Sequence, residues 1–409
     1  MPHWLTAALC MGAGVLCTPA SASAADPLAR VSISVKGAIP DERKKTGRMV
    51  VRDGGRTHYR GRIGIERRGQ SSQRFPKKSW SLELRDRQGD NRDVSLLGMP
   101  ADDDWVLYAP YNDKALLRNV LAYETARWMG RYAARTRFVE VRLDGRYHGI
   151  YVLMEKLKLQ QDRIDLPEPA QLLEWTFRWQ ARNKGHSFGL PVTGYRILFD
   201  DPERSDLTRK RRAQVRRSIG AAERAIYHSR PSGWRRHLDA GAAVDYMLVN
   251  ELFKNQDAFH ASTYLSRGAG GLWQLGPVWD FDISMGNSDY GESAVLRGSM
   301  LEDRVWAHQM YGEPRFVRQL TARWRELRRA GLRRQLLGSA SRHARRLSAT
   351  GAAGRNFQRW PVLGVRLWPN PPAAVGRTTY ASEVRALRSW LKLRIGWMDR
   401  HVDDLRPGG

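Results

Sequence analysis

The sequence predicts an α+β fold in two lobes, the first rich in strands and the second mostly helical. Three observations predict it. Two-residue alternation of apolar and polar side chains is concentrated in the first part of the chain, a strong hairpin signal sits at Asp144-Gly145, and helical periodicity dominates after Leu207. The chain has 409 residues, 42% hydrophobic and 10% aromatic with 15 Trp, which excludes a mainly disordered protein. Its 37 Gly and 19 Pro are too few for a low-complexity one.

Taken in order, Val31, Ile33 and Val35 alternate with polar neighbours, which is the period of a half-buried strand. Polar residues 37–48 and the Asp53-Gly54-Gly55 turn lead into Arg62 to Arg68, and Trp80, Leu82 and Leu84 form another alternating run. Two strands are therefore expected to flank the basic stretch RGQSSQRFPKKSW (68–80). Residues 114–129 read as a helix behind Asp113, ended by Gly130, and 138–157 as a hairpin turning at Asp144-Gly145. The segment from Pro167 to Leu207 has no regular period. Helices are then expected at 207–227, 243–254, 316–347 and 380–405, with a short strand pair at 263–266 and 272–276. No internal repeat is present.

Residues 1–25 contain no Lys, Arg, Asp or Glu, run apolar from Trp4 to Cys17 and end in small residues, so they read as a signal peptide cleaved near Ala24 or Ala25. The expected boundaries are a signal at 1–25, a β-rich lobe at 26–165 and a helical lobe at 166–409, with 26–406 as one domain. Export to the periplasm, cell surface or medium follows. Both cysteines lie in the signal, which removes disulfides, thiolate catalysis and cysteine-based metal sites from the mature chain. No later run is apolar enough to cross a bilayer. Lys plus Arg number 69 against 42 Asp plus Glu, a net charge of +27, which biases contacts toward anions.

Chemistry concentrates in two acidic turns. Asp257 ends NELFKNQD (250–257) just past a predicted helix, and Asp280 and Asp282 lie in VWDFDISMGN (278–287) just past the strand pair. Such turns bring together a proton-accepting carboxylate and hard oxygen ligands for Mg²⁺ or Mn²⁺. Asp also favours turns for purely local reasons, but the apolar surroundings of Asp280 leave a carboxylate there in need of a cation or several hydrogen bonds. In 68–80, Arg68, Lys77 and Lys78 bracket Gly69, Ser71 and Ser72, a turn able to cradle phosphate. It lacks Walker spacing, and neither a nucleophile elbow nor an H-E-x-x-H zinc motif occurs. Arg118 and Glu124 sit six apart on one helix, and Glu155 closes the second hairpin strand.

The segments RGQSSQRFPKKSWSLEL, DDDWVLYAPYNDKALLRNVLAYETARWMG, FVEVRLDGRYHGIYVLMEKL, YMLVNELFKNQDAFHASTY and GPVWDFDISMGN, with RNFQRW (355–360) and the helix YASEVRALRSWLKLRIGWMD (380–399), occur in that order. Together they resemble the spore-coat protein H (CotH) family of atypical kinases over nearly the whole predicted mature chain. The resemblance implies a divergent protein-kinase-like fold that binds ATP with a divalent metal and phosphorylates Ser or Thr of a partner protein. It implies Asp257 as the catalytic aspartate and Asp280 as the metal aspartate, with Asp282 a second ligand candidate. Lys77 or Lys78 would contact phosphate, supported by Arg68 and Arg118. Glu124 is the candidate to pair with that lysine, and Glu155 would lie in the connecting segment near adenine. Ser262 stands where a protein kinase carries a metal-binding Asn, and D-F-D replaces D-F-G. The alternative is a non-catalytic exported protein whose Arg-rich helices, 207–227 and 316–346, bind acidic polymers or partners. Nucleic acid is disfavoured, since no recognition motif is present.

Overall fold

The structure, a computed structural model, describes residues 26–41, 43–176, 187–228 and 232–405; the predicted signal segment lies outside them. Seven strands close a barrel: β1 (Ala29–Ser34), β2 (Lys45–Asp53), β3 (Arg56–Arg68), β4 (Ser79–Arg85), β5 (Asp104–Tyr108), β6 (Thr136–Leu143) and β7 (Arg146–Glu155). The order round the barrel is β1-β2-β3-β4-β5-β7-β6. All neighbours are antiparallel except β1 and β6, whose parallel pairing completes the ring. Closure removes both free edges, and it was not anticipated from the sequence, because β2 begins inside a stretch that reads as polar loop.

The period-two pattern explains how the barrel is both filled and attached. Val31, Ile33, Ile63, Ile65, Leu82, Leu84, Leu107 and Leu153 share one buried cluster. Side chains of opposite parity on β5 and β7, namely Val106, Val152 and Met154, join a second cluster with α1 (Arg118–Trp128) and the rest of the chain. The hairpin is as expected, with Asp144 and Gly145 at positive φ.

Beyond the barrel, the irregular stretch holds three strands: β8 (Gln171–Thr176), β9 (Ser187–Gly189) and β10 (Arg196–Asp201). They pair with β11 (Thr263–Arg267) and β12 (Gln274–Leu275) in the order β12-β11-β8-β10-β9. The helices are α2 (Arg209–His228), α3 (Ala240–Phe253), α4 (Val305–Tyr311), α5 (Pro314–Arg329), α6 (Leu332–Ala349), α7 (Ala352–Arg359) and α8 (Tyr380–His401). The single helix expected at 316–347 is two. Gly331 at φ 98° separates α5 from α6, a conformation that only glycine adopts without strain. Helix α3 is buried along nearly its whole length and forms the centre of the helical part.

RNFQRW gains a physical role as the seam between α7 and the barrel. The Asn356 Oδ1 accepts from the Ile150 N–H at 3.0 Å and from Lys77 Nζ at 3.0 Å, while Lys77 also donates to the Ile150 carbonyl at 2.6 Å. Trp360 Nε1 donates to the His148 carbonyl at 2.8 Å. Gly149 has φ +102°, and a Cβ there would meet Asn356 Oδ1 at 2.6 Å, so glycine lets the helix approach. Asn356→Ala strands a buried amine and a buried amide, and is expected to lower unfolding stability by ~2 kcal/mol, read from the denaturation midpoint.

Candidate functional site

The two acidic turns are physically one unit. Asp257 follows the C-terminus of α3, where Lys254 takes the left-handed conformation at φ 48° and turns the chain. Asp280 follows β12, also at positive φ, 58°, a region that Asp tolerates better than most residues. Main-chain bonds join the turns: the Met285 N–H donates to the Phe253 carbonyl at 2.7 Å and the Gln256 N–H to the Ile283 carbonyl at 3.4 Å. Phe281 is fully buried and meets Phe253 edge-on, with ring centroids 6.0 Å apart. The aromatic residue of D-F-D therefore anchors the loop in the core while both carboxylates stay at the site.

Helix α1 holds the second turn from the barrel side. Asn119 Oδ1 accepts from the Phe281 N–H at 2.6 Å, and the Tyr123 hydroxyl oxygen accepts from the Asp280 N–H at 3.2 Å. Tyr123 stacks on Trp279, and the Arg68 guanidinium lies 5.4 Å from the Trp279 ring centre. Arg68, at the end of β3, thereby brings a cation beside Asp280. Gly69 follows at φ 94°, and a Cβ there would lie 2.2 Å from Ser72 Oγ, so the tight Gly-Gln-Ser-Ser turn requires glycine.

Electrostatics show why the carboxylates need a partner. Withdrawal from water and the charge of Asp280 push the Asp257 carboxyl up to about 7, with Arg304 opposing the rise. Asp282 is raised well above the usual carboxylate range, by burial first and then by the charges of Asp280 and Asp257. Asp280 is raised by burial, against the pull of its hydrogen bond with Asp282 and of Arg68. Three carboxyl groups that resist ionising together form a donor set that a divalent oxygen-seeking cation relieves, so the residues fit Mg²⁺ or Mn²⁺. Tighter carboxylate groups occur on the barrel, at Glu83, Asp103 and Asp104 and at Asp93, Asp102 and Asp103. Lys44, Lys156, Lys158 and Arg163 already pair with those.

Comparison with protein families matches residues 65–398 to the model described as CotH kinase protein, a span holding both acidic turns, the glycine-serine turn and most of α8. The chain belongs to the CotH kinase family. A comparison with solved structures aligns it with the Helicobacter pylori proinflammatory kinase CtkA, at 9% identity and a TM-score of 0.29, over 76% of this chain and 94% of that one. No curated protein matches the chain.

In this member of the CotH kinase family, several residues lie apart from the roles expected of them. Lys77 is 2% exposed and is consumed by Ile150 and Asn356, and its burial without an acidic partner holds the amine well below the usual lysine range. It is a structural pin, whereas the half-buried amine of Lys78 bonds the Gln73 carbonyl of the same turn. Arg118 is 3% exposed: it pairs with Asp113 and donates to the Ser284 carbonyl at 3.0 Å, so it braces the Asp280 loop from behind. Among the described residues Glu124 pairs with no lysine; it accepts from Ser339 and meets His343 Nε2 at 2.8 Å on α6. Six residues along a helix from Arg118 turn it toward a different neighbour. The Glu155 carboxylate is buried against Arg135 and Tyr132, which occupy both of its oxygens. Ser262 lies at φ 49° before β11, and no hydrogen bond joins it to the carboxylates among the described residues.

Asn119, Tyr123, Asn112, Asn287, Trp279 and Arg304 were not anticipated. Asn112 bonds the Asp282 side chain, and Asn287 Nδ2 donates to the Asp282 carbonyl at 2.8 Å. Only Asn119 and Tyr123 left a readable trace, being four apart on one helix face.

Raised carboxyl groups bind protons more tightly folded than unfolded, so without metal the melting temperature is expected to fall as pH rises from about 5 to about 8. Mg²⁺ at saturating concentration should restore roughly 1–3 kcal/mol at the upper pH and much less at the lower, where protons compete. Asp280→Asn should raise metal-free stability at about pH 8 and abolish the Mg²⁺ response, read by thermal shift.

Proposed function

We propose that this chain is an atypical ATP-dependent protein kinase that transfers the γ-phosphate to Ser or Thr of a partner protein outside the cytoplasm. The observation that carries the reading is the convergence of Asp257, Asp280 and Asp282 on joined turns facing Arg68 and the glycine-serine turn. On this reading the fold is a divergent kinase of two lobes, 26–165 and 166–409, with ATP between them and the segment after Glu155 beside adenine.

Each role follows from chemistry. Asp257, half-buried and poised near neutrality, orients the acceptor hydroxyl and takes its proton. Asp280 and Asp282 would hold Mg²⁺ or Mn²⁺, whose charge, when bound, offsets that of the phosphates. Arg68, Lys78 and the free amides and hydroxyls of Ser71 and Ser72 hold the phosphate oxygens on the barrel side. Helix α2 leaves Arg209, Lys210, Arg216 and Arg217 exposed, a surface suited to an acidic partner but remote in role from the chemistry.

The test is metal-dependent label transfer from γ-labelled ATP by the full chain. Asp257→Ala and Asp280→Ala are each expected to reduce kcat by about 10²–10⁴-fold. Arg68→Ala should raise the KM for ATP, whereas Lys77→Met should lower stability and leave that KM unchanged. Equal silence of wild type and variants, with no nucleotide binding, returns the chain to the class of exported binding proteins.

A further inference from the structure

An exposed aromatic step stands beside Asp257 that the phosphate chemistry does not use. Tyr290 and Trp368 stack nearly parallel, 10° apart with centroids at 6.1 Å, and remain 38% and 40% exposed. Rings this large are usually withdrawn further from water, and Val365 and Val375, exposed by 45% and 54%, lie on the same segment as Trp368. Arg74, from the glycine-serine turn, covers part of Trp368 at 4.4 Å from its centre.

Three constraints place the step in register with the chemistry. A Cβ on Gly291 would meet the Gln256 side chain at 2.7 Å, so the residue after Tyr290 packs on the residue before Asp257. The Tyr290 hydroxyl is pushed up to about 12, by partial burial and then by the charges of Asp257 and Asp282. Asn370, two residues after Trp368, donates to Asn287 Oδ1 at 2.9 Å and to the Asn112 carbonyl at 2.9 Å, and these two asparagines are the ones that hold Asp282. Arg366 pairs with Asp289 at 2.7 Å and Lys114 bonds the Val365 carbonyl, so both segments are fixed in advance.

We infer that Tyr290 and Trp368 form an acceptor subsite that takes a flat or aliphatic side chain of a polypeptide, next to the residue whose hydroxyl reaches Asp257. This rests on the kinase reading for its orientation. A polypeptide is the occupant because the step adjoins Asp257 through the packing of Gly291 on Gln256, while Arg68 stands beside Asp280; a substrate reduced to a hydroxyl group has nothing to place on the rings. Aromatic pairs with exposed faces supply contact area at small entropic cost.

The experiment uses the full chain with Mg²⁺ and a non-hydrolysable ATP analogue, and two fluorescein-labelled peptides with a central Ser. One carries Phe and Leu beside the Ser and the other carries Gly. The Phe/Leu peptide is expected to bind about tenfold tighter, and Tyr290→Ala and Trp368→Ala to remove most of that difference, with Trp368→Phe retaining it. Affinity for the analogue should stay within about twofold, and Val375→Asp, on an exposed position, serves as the variant that leaves the rings in place. Equal binding of both peptides, unchanged selectivity in the ring variants, or loss of nucleotide affinity in their place overturns the subsite. Selective binding without label transfer from ATP would retire the kinase reading and leave the subsite standing.

Discussion

The site depends on a seam of main chain. Phe253 and Met285 join the turn carrying Asp257 to the turn carrying Asp280 and Asp282, and mutually repelling carboxylates stay together because that seam is buried and braced from both sides. From below, Glu251 accepts from Ser299 Oγ, the Met300 and Leu301 amides, the Tyr311 hydroxyl and Arg394, all of them buried. From above, Arg118 and Asn119 hold the carbonyl of Ser284 and the amide of Phe281. A buried ion pair such as Glu251 with Arg394 adds little net stability over an apolar pair, but it admits one geometry and penalises others. That is what a cluster of like charges requires of its surroundings.

The barrel and the helical part divide the work. Strand β3 delivers Arg68 and β4 begins where the glycine-serine turn ends, so these groups inherit the rigidity of a sheet without free edges. Helix α1 lies between barrel and acidic turns, and its side chains contact the chain on either side of Asp280. Lys77 and Asn356 tie the far end of the turn to α7. Several charged residues that read as ligands are braces within the fold.

How much was legible follows from the range of each interaction. Alternation in β4, β6 and β7, the Asp144-Gly145 turn and the apolar stripe of α8 are local, and they were readable. Asp257, Asp280 and Asp282 were readable as a group because motif order brought their turns into relation. Closure of β1 onto β6 and the sheet linking β8 with β11 depend on partners about a hundred residues distant, and β8 to β10 carry no clean period because the sheet is covered unevenly. The roles of Lys77, Arg118 and Glu124 failed for one reason. A charged side chain shows its type in the sequence, but whether it faces a cleft or is spent on Asn356, Asp113 or His343 is decided by tertiary contact.

The arginine beneath the acidic turns comes from α8, 143 residues after the glutamate it meets. Closing so long a loop is entropically slow, and until it closes Glu251 holds loop amides with no counter-charge in an apolar setting. The setting of the carboxylate constellation therefore depends on a contact of long sequence separation. The brace beneath the two acidic turns is thus lent by a distant helix, and before α8 packs the turns stand without that arginine.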